Sequence, residues 1–296
     1  MAMEVLLLFF GQFAASTAVL MIKASAIDPV LLASYRMLGG ALLLLPLYLR
    51  ARRRVRESGS GPKQRHSSLD WLLPGIFLAL HFITWNMGAR MTIAANASLI
   101  VNMVPLAMPV FVLFMYGTRL SSREVLGTVL ALSGIVVLSV GDLEVSRSNL
   151  PGDMVSLFSM VMLTVYMGLA RRRRPGSIWL YVVPLYAVGG LAALVGSLFI
   201  TPPWVQEYAA IELLWVFLIS AFPTLVGHSV VNRAMGILPT QLVSLSMLSQ
   251  FVFAGLLAYP IYGEVPHLMF IPASMLIFTG AWVVVRQRPR NLEVVR

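Results

Sequence analysis

Polar side chains recur at helical spacing inside segments that are otherwise apolar. His81 and Trp85 lie four residues apart, and Ser98 and Asn102 repeat this spacing in the next apolar segment, so each pair shares one helix face. Amide, hydroxyl and imidazole groups on such a face can line a cavity and hydrogen-bond a ligand there. The candidate cavity residues are Gln12, Ser16, His81, Trp85, Ser98, Asn102, Tyr166, His228, Asn232, Ser244 and Gln250.

The scarcity of charge shows what kind of element carries these side chains. Of the 296 residues, 58% are hydrophobic and only 11% are charged, against about 25% charged residues in an ordinary soluble domain. A water-soluble chain of this length could not cover its surface with so few charges, so one large soluble core is excluded. The charges divide the chain into ten stretches of about 17 residues or more, the length that crosses a roughly 30 Å hydrocarbon layer as a helix.

The sequence therefore predicts an all-α membrane protein with ten transmembrane helices. Lipid offers the backbone no hydrogen-bond partners, and a helix satisfies its own amide groups. A cytoplasmic linker rich in Arg, Ser and Gly is predicted over residues 51–70. The predicted spans are 4–22, 30–49, 71–90, 94–116, 124–141, 152–170, 177–200, 213–235, 240–262 and 267–285.

The basic residues predict the orientation of these helices. With a cytoplasmic N-terminus and ten crossings, 18 of the 22 Lys and Arg residues fall on the cytoplasmic side, as the positive-inside rule requires. Both termini are then cytoplasmic, and the basic loops contact anionic lipid headgroups rather than nucleic acid. The chain has no Cys, which excludes disulfides and thiolate metal sites, and we expect no metal and no cofactor.

An internal repeat is visible at a constant offset of 146 residues. This offset carries Gly117 to Gly263 and Gly134 to Gly280, and it superposes the predicted helix boundaries. Each unit has five spans, an odd number, so the two units must insert in opposite orientations. Inverted repeats build transporters in which the site lies near the midplane, between halves that rock to alternate access. The predicted units are residues 4–141 and 152–286.

Two stretches of this sequence resemble motifs of the EamA family, in the drug/metabolite transporter superfamily. The run from Asn96 to Pro109 resembles the fourth-helix motif of that family, and Gly263-Glu264-Val265-Pro266 resembles the matching motif of the second repeat. The likeness covers essentially the whole chain as two five-helix units. It implies a ten-helix bundle whose central cavity is lined by the first, third, fourth, sixth, eighth and ninth helices. It also implies carriage of small metabolites, often export of amino acids or related compounds.

A few residues are candidates for coupling, gating or bending rather than for binding alone. Arg36 is the only formal charge well inside a predicted span, and Glu264 lies at the outer end of the ninth span. His81 and His228 lie at midspan, where imidazole could exchange a proton near neutral pH. Pro105 and Pro109 each free a backbone carbonyl and are candidate hinge residues. The coupling or gating candidates are Arg36, His81, His228 and Glu264.

Each polar residue also has a structural interpretation, which the sequence leaves open. A polar side chain in a span commonly bonds a neighbouring helix, which contributes about 0.6 kcal/mol on average. For Asn102 and Gln250 the two interpretations are evenly balanced. A neutral His81 bonded to another helix is an equally open alternative to proton coupling.

The function that these patterns predict is secondary active transport, with export favoured. We expect a multi-pass protein of the bacterial inner membrane, as a monomer or homodimer, that moves a small organic metabolite such as an amino acid or a related amphipathic compound. Import or exchange of a nucleoside, vitamin or quaternary amine is the alternative. A channel and an intramembrane enzyme are disfavoured, because the sequence has neither an ion-filter motif nor a His-Glu-x-x-His motif.

Overall fold

The computed structural model describes residues 2–57, 69–117, 121–145, 148–170, 177–205, 207–234 and 246–286. Within these ranges the fold is all-helical, as predicted, and no described residue lies in a β-strand. The elements are α1 (Ala2–Ala24), α2 (Pro29–Glu57), α3 (Leu69–Met91), α4 (Ala94–Val101), α5 (Val104–Tyr116), α6 (Ser122–Val145), α7 (Asn149–Ala170), α8 (Trp179–Ile200), α9 (Ala210–Ile219), a π-helical segment (Ser220–His228), α10 (Ser229–Ala234), α11 (Ser249–Tyr262) and α12 (Phe270–Val285).

Seven segments of the described chain are long and apolar enough to cross a membrane. Part of α12 is equally apolar but shorter, over Phe270–Val283. A multi-pass membrane fold follows, and the count of ten spans stays a prediction. The seven segments are Met3–Ala24, Pro29–Glu57, Trp71–Met91, Ala94–Met115, Asn149–Leu169, Trp179–Ile200 and Ala210–Gly227.

The outward faces of these helices carry large apolar side chains, while polar ones are buried. Phe114 in α5 is 82% exposed and Phe199 in α8 is 85% exposed. Gln12, Arg36 and Asn102 are almost completely buried. This distribution suits hydrocarbon outside the bundle, because polar groups in a membrane protein turn towards the bundle interior or a partner.

The main helix pairs each join the first predicted unit to the second. The α2 helix packs on α8, α3 packs on α7, and α6 packs on α12. The α1 helix contacts both the π-helical segment and α11. The core therefore lies between the two predicted units, where a site shared by both can form.

Gly134 in α6 and Gly280 in α12 each pack closely against the backbone of the opposite helix. A Cβ atom added to Gly134 would lie 2.8 Å from the carbonyl oxygen of Ala273, and one added to Gly280 would lie 2.5 Å from that of Gly127. Under the offset of 146, Gly127 corresponds to Ala273 and Gly134 to Gly280. The Gly134–Ala273 contact and the Gly280–Gly127 contact are therefore equivalent. A two-fold relation produces this pattern, in which one residue contacts a second and their equivalents do the same.

Two other glycines end helices in the same conformation. The residue after α5 is Gly117, with a φ of 65°, and the residue after α11 is Gly263, with a φ of 66°. Glycine adopts this left-handed conformation without steric cost, which is why it ends helices so often. Their N–H groups bond the carbonyls of Leu113 and Tyr259, which are also separated by 146 residues.

The linker predicted over residues 51–70 is partly helical instead. Residues 51–57 continue α2, while residues 58–68 lie outside the described chain. Arg and Glu are good helix formers, and Arg53 Nε donates to Glu57 Oε1 at 2.7 Å, one turn away. The Arg-rich composition therefore extends a membrane helix beyond its apolar part, where a loop was predicted.

We expect Gly134→Ala and Gly280→Ala each to destabilise the protein by about 1–3 kcal/mol, the usual cost of overpacking. The reason is that the added methyl group meets backbone, which cannot turn aside. Gly196→Ala in α8 is the matched control, because a Cβ there meets nothing within 4 Å. Thermal unfolding of the purified protein in detergent measures all three, and an unchanged midpoint in Gly280→Ala would contradict the packing.

Candidate functional site

Pro105 explains why the fourth predicted span consists of two helices. Asn102 and Met103 form a turn between α4 and α5. Proline has no N–H for the carbonyl four residues before it, so the helix cannot continue unbroken here. The Met103 N–H bonds a carbonyl only three residues back, at 3.2 Å. The break places Asn102 at the C-terminal end of α4, while Pro109 lies inside α5.

Four polar side chains meet around this break. Gln12 Nε2 donates to Ser246 Oγ at 2.8 Å, and Gln250 Nε2 donates to Gln12 Oε1 at 2.6 Å. Asn102 Nδ2 donates to the Ser98 carbonyl at 2.8 Å and lies 3.4 Å from Gln250 Oε1. We call the set of Gln12, Asn102, Ser246 and Gln250 the amide network.

The amide network connects the two predicted units and can bind several chemical groups. Gln12 and Asn102 belong to the first unit, and Ser246 and Gln250 belong to the second. Each primary amide offers both donors and an acceptor, so the network can bond ammonium, hydroxyl or carboxylate groups. The 3.4 Å contact between Asn102 and Gln250 is the longest in the network, and it is the bond that a ligand replaces at least cost.

Other candidate cavity residues are buried but make different contacts. Ser16 Oγ donates to the Phe13 carbonyl at 2.7 Å, within α1 itself. Trp85 belongs to the buried apolar core, and Tyr166 is partly buried against that core. Ser98 is buried and contributes its carbonyl to Asn102. Only part of the predicted set therefore forms one connected group.

The structure describes only some of the candidate residues in the eighth and ninth predicted spans. The side chains of His228 and Asn232, and the whole of Ser244, lie outside the described residues. Ser246 occupies the amide network but was not among the chosen candidates. Ser244, Ser246 and Gln250 are all polar residues of the ninth predicted span, and their spacing alone did not decide between Ser246 and Ser244.

His81 connects α3 to α7 through Ser159. Ser159 Oγ donates to the His81 carbonyl at 2.9 Å, and His81 Nδ1 lies 2.9 Å from Ser159 Oγ and 3.1 Å from the Ser159 carbonyl oxygen. The hydroxyl has only one hydrogen, so these contacts fit together when Nδ1 carries the proton and donates to Ser159. These bonds support the interhelical interpretation of His81, and its role in coupling stays a prediction.

Arg36 is held inside the bundle by neutral and aromatic groups. Its Nε and Nη2 atoms donate to Thr224 Oγ1 at 3.2 Å and 3.1 Å. Its guanidinium carbon lies 4.0 Å from the centroid of the Phe82 ring, within the range of a cation–π interaction. Thr224 lies four residues before His228 on one face of the eighth predicted span, but this spacing did not identify it as the partner of Arg36.

Glu264 lies in a polar cluster at the predicted outer end of the bundle. Its Oε1 atom accepts a bond from Lys23 Nζ at 2.6 Å, and its Oε2 atom accepts one from the Ala94 N–H, also at 2.6 Å. Lys23 Nζ also donates to the Thr92 carbonyl at 2.7 Å. We call Lys23, Thr92, Ala94 and Glu264 the outer cluster, and it closes the predicted outer side between α1, α4 and the loop after α11.

A second carboxylate strengthens this closure. Glu212 is buried, and it accepts bonds from Ser25 Oγ at 2.6 Å and from the Ala26 N–H at 3.0 Å. Arg90 donates to the carbonyls of Ile22 and Ser25 at 3.0 Å and 2.8 Å. The sequence did not identify Lys23, Glu212 or Arg90 as site residues, because a charge at the end of a span usually faces water.

The described part of the chain contains no group of three or more His, Asp or Glu side chains that could hold a metal ion. Its buried polar side chains include amides, hydroxyls, the His81 imidazole, the Arg36 guanidinium and, at the predicted outer end, the Glu212 carboxylate. A multi-pass bundle with such an interior is typical of membrane transport proteins.

Residues 2–140 match the model of the EamA-like transporter family. The resemblance to the EamA family is confirmed. The match covers the first predicted unit, including α1, Arg36 and the break at Pro105. The chain is a multi-pass membrane protein whose residues 2–140 match a transporter family, and no curated protein matches it in sequence.

A solved crystal structure is similar to this chain over nearly its whole length. The similarity covers 97% of this chain and 99% of the solved one, with 21% sequence identity and a TM-score of 0.63. At this identity the likeness shows the fold, which here includes the second half that the family model does not match.

We expect Glu264→Gln to lower the thermal unfolding midpoint more than Glu57→Gln does. The two substitutions are the same, but the Glu264–Lys23 pair is 17% and 14% exposed while the Glu57–Arg53 pair is 60% and 81% exposed. Exposed pairs contribute about 0–1 kcal/mol, whereas a hydrogen bond to a buried charge contributes about 1.5–3 kcal/mol.

Unfolding of both purified variants in the same detergent measures this difference. If Glu57→Gln costs as much as Glu264→Gln, the outer cluster does not hold the bundle closed.

Proposed function

We propose that this protein is a secondary active transporter that exports a small organic metabolite, such as an amino acid or a related amphipathic compound, by alternating access. The observation that carries the proposal is the amide network, because it joins the two predicted units at the break between α4 and α5. A ligand bound there contacts both units at once. Rocking of one unit against the other then changes the side from which the ligand is reached.

The contacts between the halves support a bundle of ten helices built from two inverted units. The reciprocal contact of Gly134 and Gly280 fits a two-fold relation between residues 4–141 and 152–286. Equivalent helix ends at Gly117 and Gly263 agree with it. Such a relation gives the bundle two similar conformations, open to opposite sides, which alternating access requires.

The closures at the two ends of the bundle support a gating role for Glu264. At the predicted outer end the Lys23–Glu264 pair is mostly buried. At the predicted inner end Arg233 Nη2 donates to Glu4 Oε1 at 2.9 Å, but this pair is 63% and 24% exposed. Because burial strengthens an ion pair that keeps its hydrogen bonds, the conformation closed on the outside is the more firmly held.

The surroundings of the protein follow from its charge distribution. We place it in the bacterial inner membrane with both termini in the cytoplasm, as a monomer or homodimer. The basic cytoplasmic segments contact anionic lipid headgroups, and no cofactor takes part. Pro105 and Pro109 act as hinge residues of the fourth predicted span, which also carries Asn102.

A thermal-shift screen of the purified protein against amino acids, nucleosides, vitamins and quaternary amines tests the proposal. A ligand at 100 times its dissociation constant stabilises the folded state by roughly 2.7 kcal/mol. Saturable counterflow of the stabilising compound in proteoliposomes then demonstrates carrier-type transport. Conductance without saturation would instead indicate a channel.

We expect Gln12→Ala and Gln250→Ala to weaken binding of the stabilising compound at least about tenfold, because either change removes an amide that hydrogen-bonds the ligand, and a ligand group left buried without its partner costs about 1–3 kcal/mol. Ser133→Ala is the control, because Ser133 is exposed on α6 and bonds only a carbonyl of its own helix. Titration by thermal shift and counterflow gives the affinities. Unchanged affinity in both Gln variants would remove the amide network from the site.

A further inference from the structure

Arg36 is a fully buried cation without a carboxylate partner among the described residues. It is 1% exposed and lies inside α2, one of the segments that can span a membrane. Lys23, Arg53 and Arg233 each pair with a carboxylate in the described chain, whereas no carboxylate of the described residues pairs with Arg36. The charge of Arg36 is therefore balanced by dipoles and a ring face, and by no opposite charge that the structure describes.

The hydrogen-bond donors of Arg36 are only partly used. A guanidinium carries five N–H donors in a plane. The Nε and Nη2 atoms each direct one hydrogen to Thr224 Oγ1, while Nη1 has no hydrogen-bond partner. The unused donors are those at the end of the fork, on Nη1 and on the second position of Nη2. These two nitrogens are spaced to bind both oxygens of a carboxylate.

The local fold fixes the direction of these unused Nη1 and Nη2 donors, which we call the free edge of Arg36. Pro223 cannot donate to the Ile219 carbonyl, and Thr224 Oγ1 donates to that oxygen at 2.8 Å. The Thr224 oxygen is thereby aimed at Arg36, in a π-helical segment, which is a local structure often found at functional sites. Phe82 covers one face of the guanidinium. The group is therefore clamped on its side and on one face, and its end is left without a partner.

An unpaired buried cation lowers the stability of a protein, so its presence indicates a role other than packing. Breaking a buried pair leaves a charge whose solvation is lost, and apolar replacements of buried ions are often neutral or stabilising. Ionisable residues within membrane spans are accordingly rare and tend to mark substrate or ion pathways. A chain that needed Arg36 only for packing would be served as well by Met or Leu.

The free edge and the amide network lie at neighbouring depths. Gly227, three residues after Thr224, packs on α1: a Cβ added to it would lie 2.9 Å from the Ala15 backbone nitrogen, and one added to Gly11 would lie 3.4 Å from the Gly227 carbonyl. Gln12 lies between these two α1 positions. Three residues of helix rise only about 4–5 Å, so Arg36 and the amide network occupy adjacent levels of the bundle.

We infer that the end of the Arg36 guanidinium binds the carboxylate of the transported molecule, so that the cargo is a carboxylate-bearing metabolite. This inference rests on the proposed transport function and names the chemical class of its substrate. A carboxylate brings one negative charge to one buried positive charge. A phosphate dianion would leave an excess charge in a low-dielectric interior, so the monoanion is the better match.

The first test measures the stability of the protein without ligand. We expect Arg36→Met to unfold at the same temperature as the wild type or at a higher one. Arg90→Met is the matched control and should unfold at a lower temperature, because Arg90 donates to the carbonyls of Ile22 and Ser25. If Arg36→Met is destabilised as much as Arg90→Met, Arg36 is a structural clamp and the inference is overturned.

The second test compares acids with their amides as ligands. Leucine, phenylalanine, benzoate and nicotinate are each titrated against their carboxamides, with inorganic phosphate as a separate arm, by thermal shift on the full-length protein. We expect at least one acid to bind ten times more tightly than its amide. Arg36→Lys should lose that preference, because a single ammonium cannot form the bidentate hydrogen bond to a carboxylate. Ser133→Ala should keep it.

The outcomes separate this inference from the transport function itself. Saturable counterflow of a neutral or amide compound, with no acid preferred, would leave the transporter and overturn the role of Arg36. Absence of saturable flux for every compound, together with acid-selective binding lost in Arg36→Lys, would overturn the transporter and keep the anion site. Binding of phosphate alone, or of no acid in the panel, would overturn the assignment of a carboxylate.

Discussion

Hydrocarbon cannot hydrogen-bond, and the rest of this structure depends on that constraint. Every backbone polar group within the bundle must find its partner in the protein, and a polar side chain left without one is costly. The amide side chains therefore bond to one another across helices, and Ser16 bonds a carbonyl of its own helix. Where a proline removes a backbone donor, at Pro105 or Pro223, a turn or a hydroxyl group compensates. The amide network and Arg36 thus lie beside irregular parts of the helices, at Pro105 and Pro223.

Several features could be predicted from sequence because one residue type had one physical meaning. Ten apolar stretches indicated a membrane fold, Pro105 indicated a broken helix, and the amides Gln12, Asn102 and Gln250 had to lie inward. Other features had two meanings. The sequence of the Arg-rich segment 51–57 is compatible with a loop or with a polar helix end, and the structure shows it as the last turns of α2.

The partners that charged residues find in distant parts of the sequence could not be predicted. Nothing in the spacing places Lys23 beside Glu264, since they are 241 residues apart. The same applies to Arg36 and Thr224, which the packing of α2 on the π-helical segment brings together. A sequence shows which groups need a partner, whereas the topology decides which group supplies it.

The α4 helix is a short rigid rod held at both ends by the other half of the molecule. It has eight residues, about 12 Å of rise. Its first N–H is fixed by Glu264, and Asn102 at its far end contacts Gln250. Because a single two-turn helix does not bend between such points, a displacement of Glu264 shifts Asn102 as well. The outer closure and the amide network are thus connected mechanically through α4.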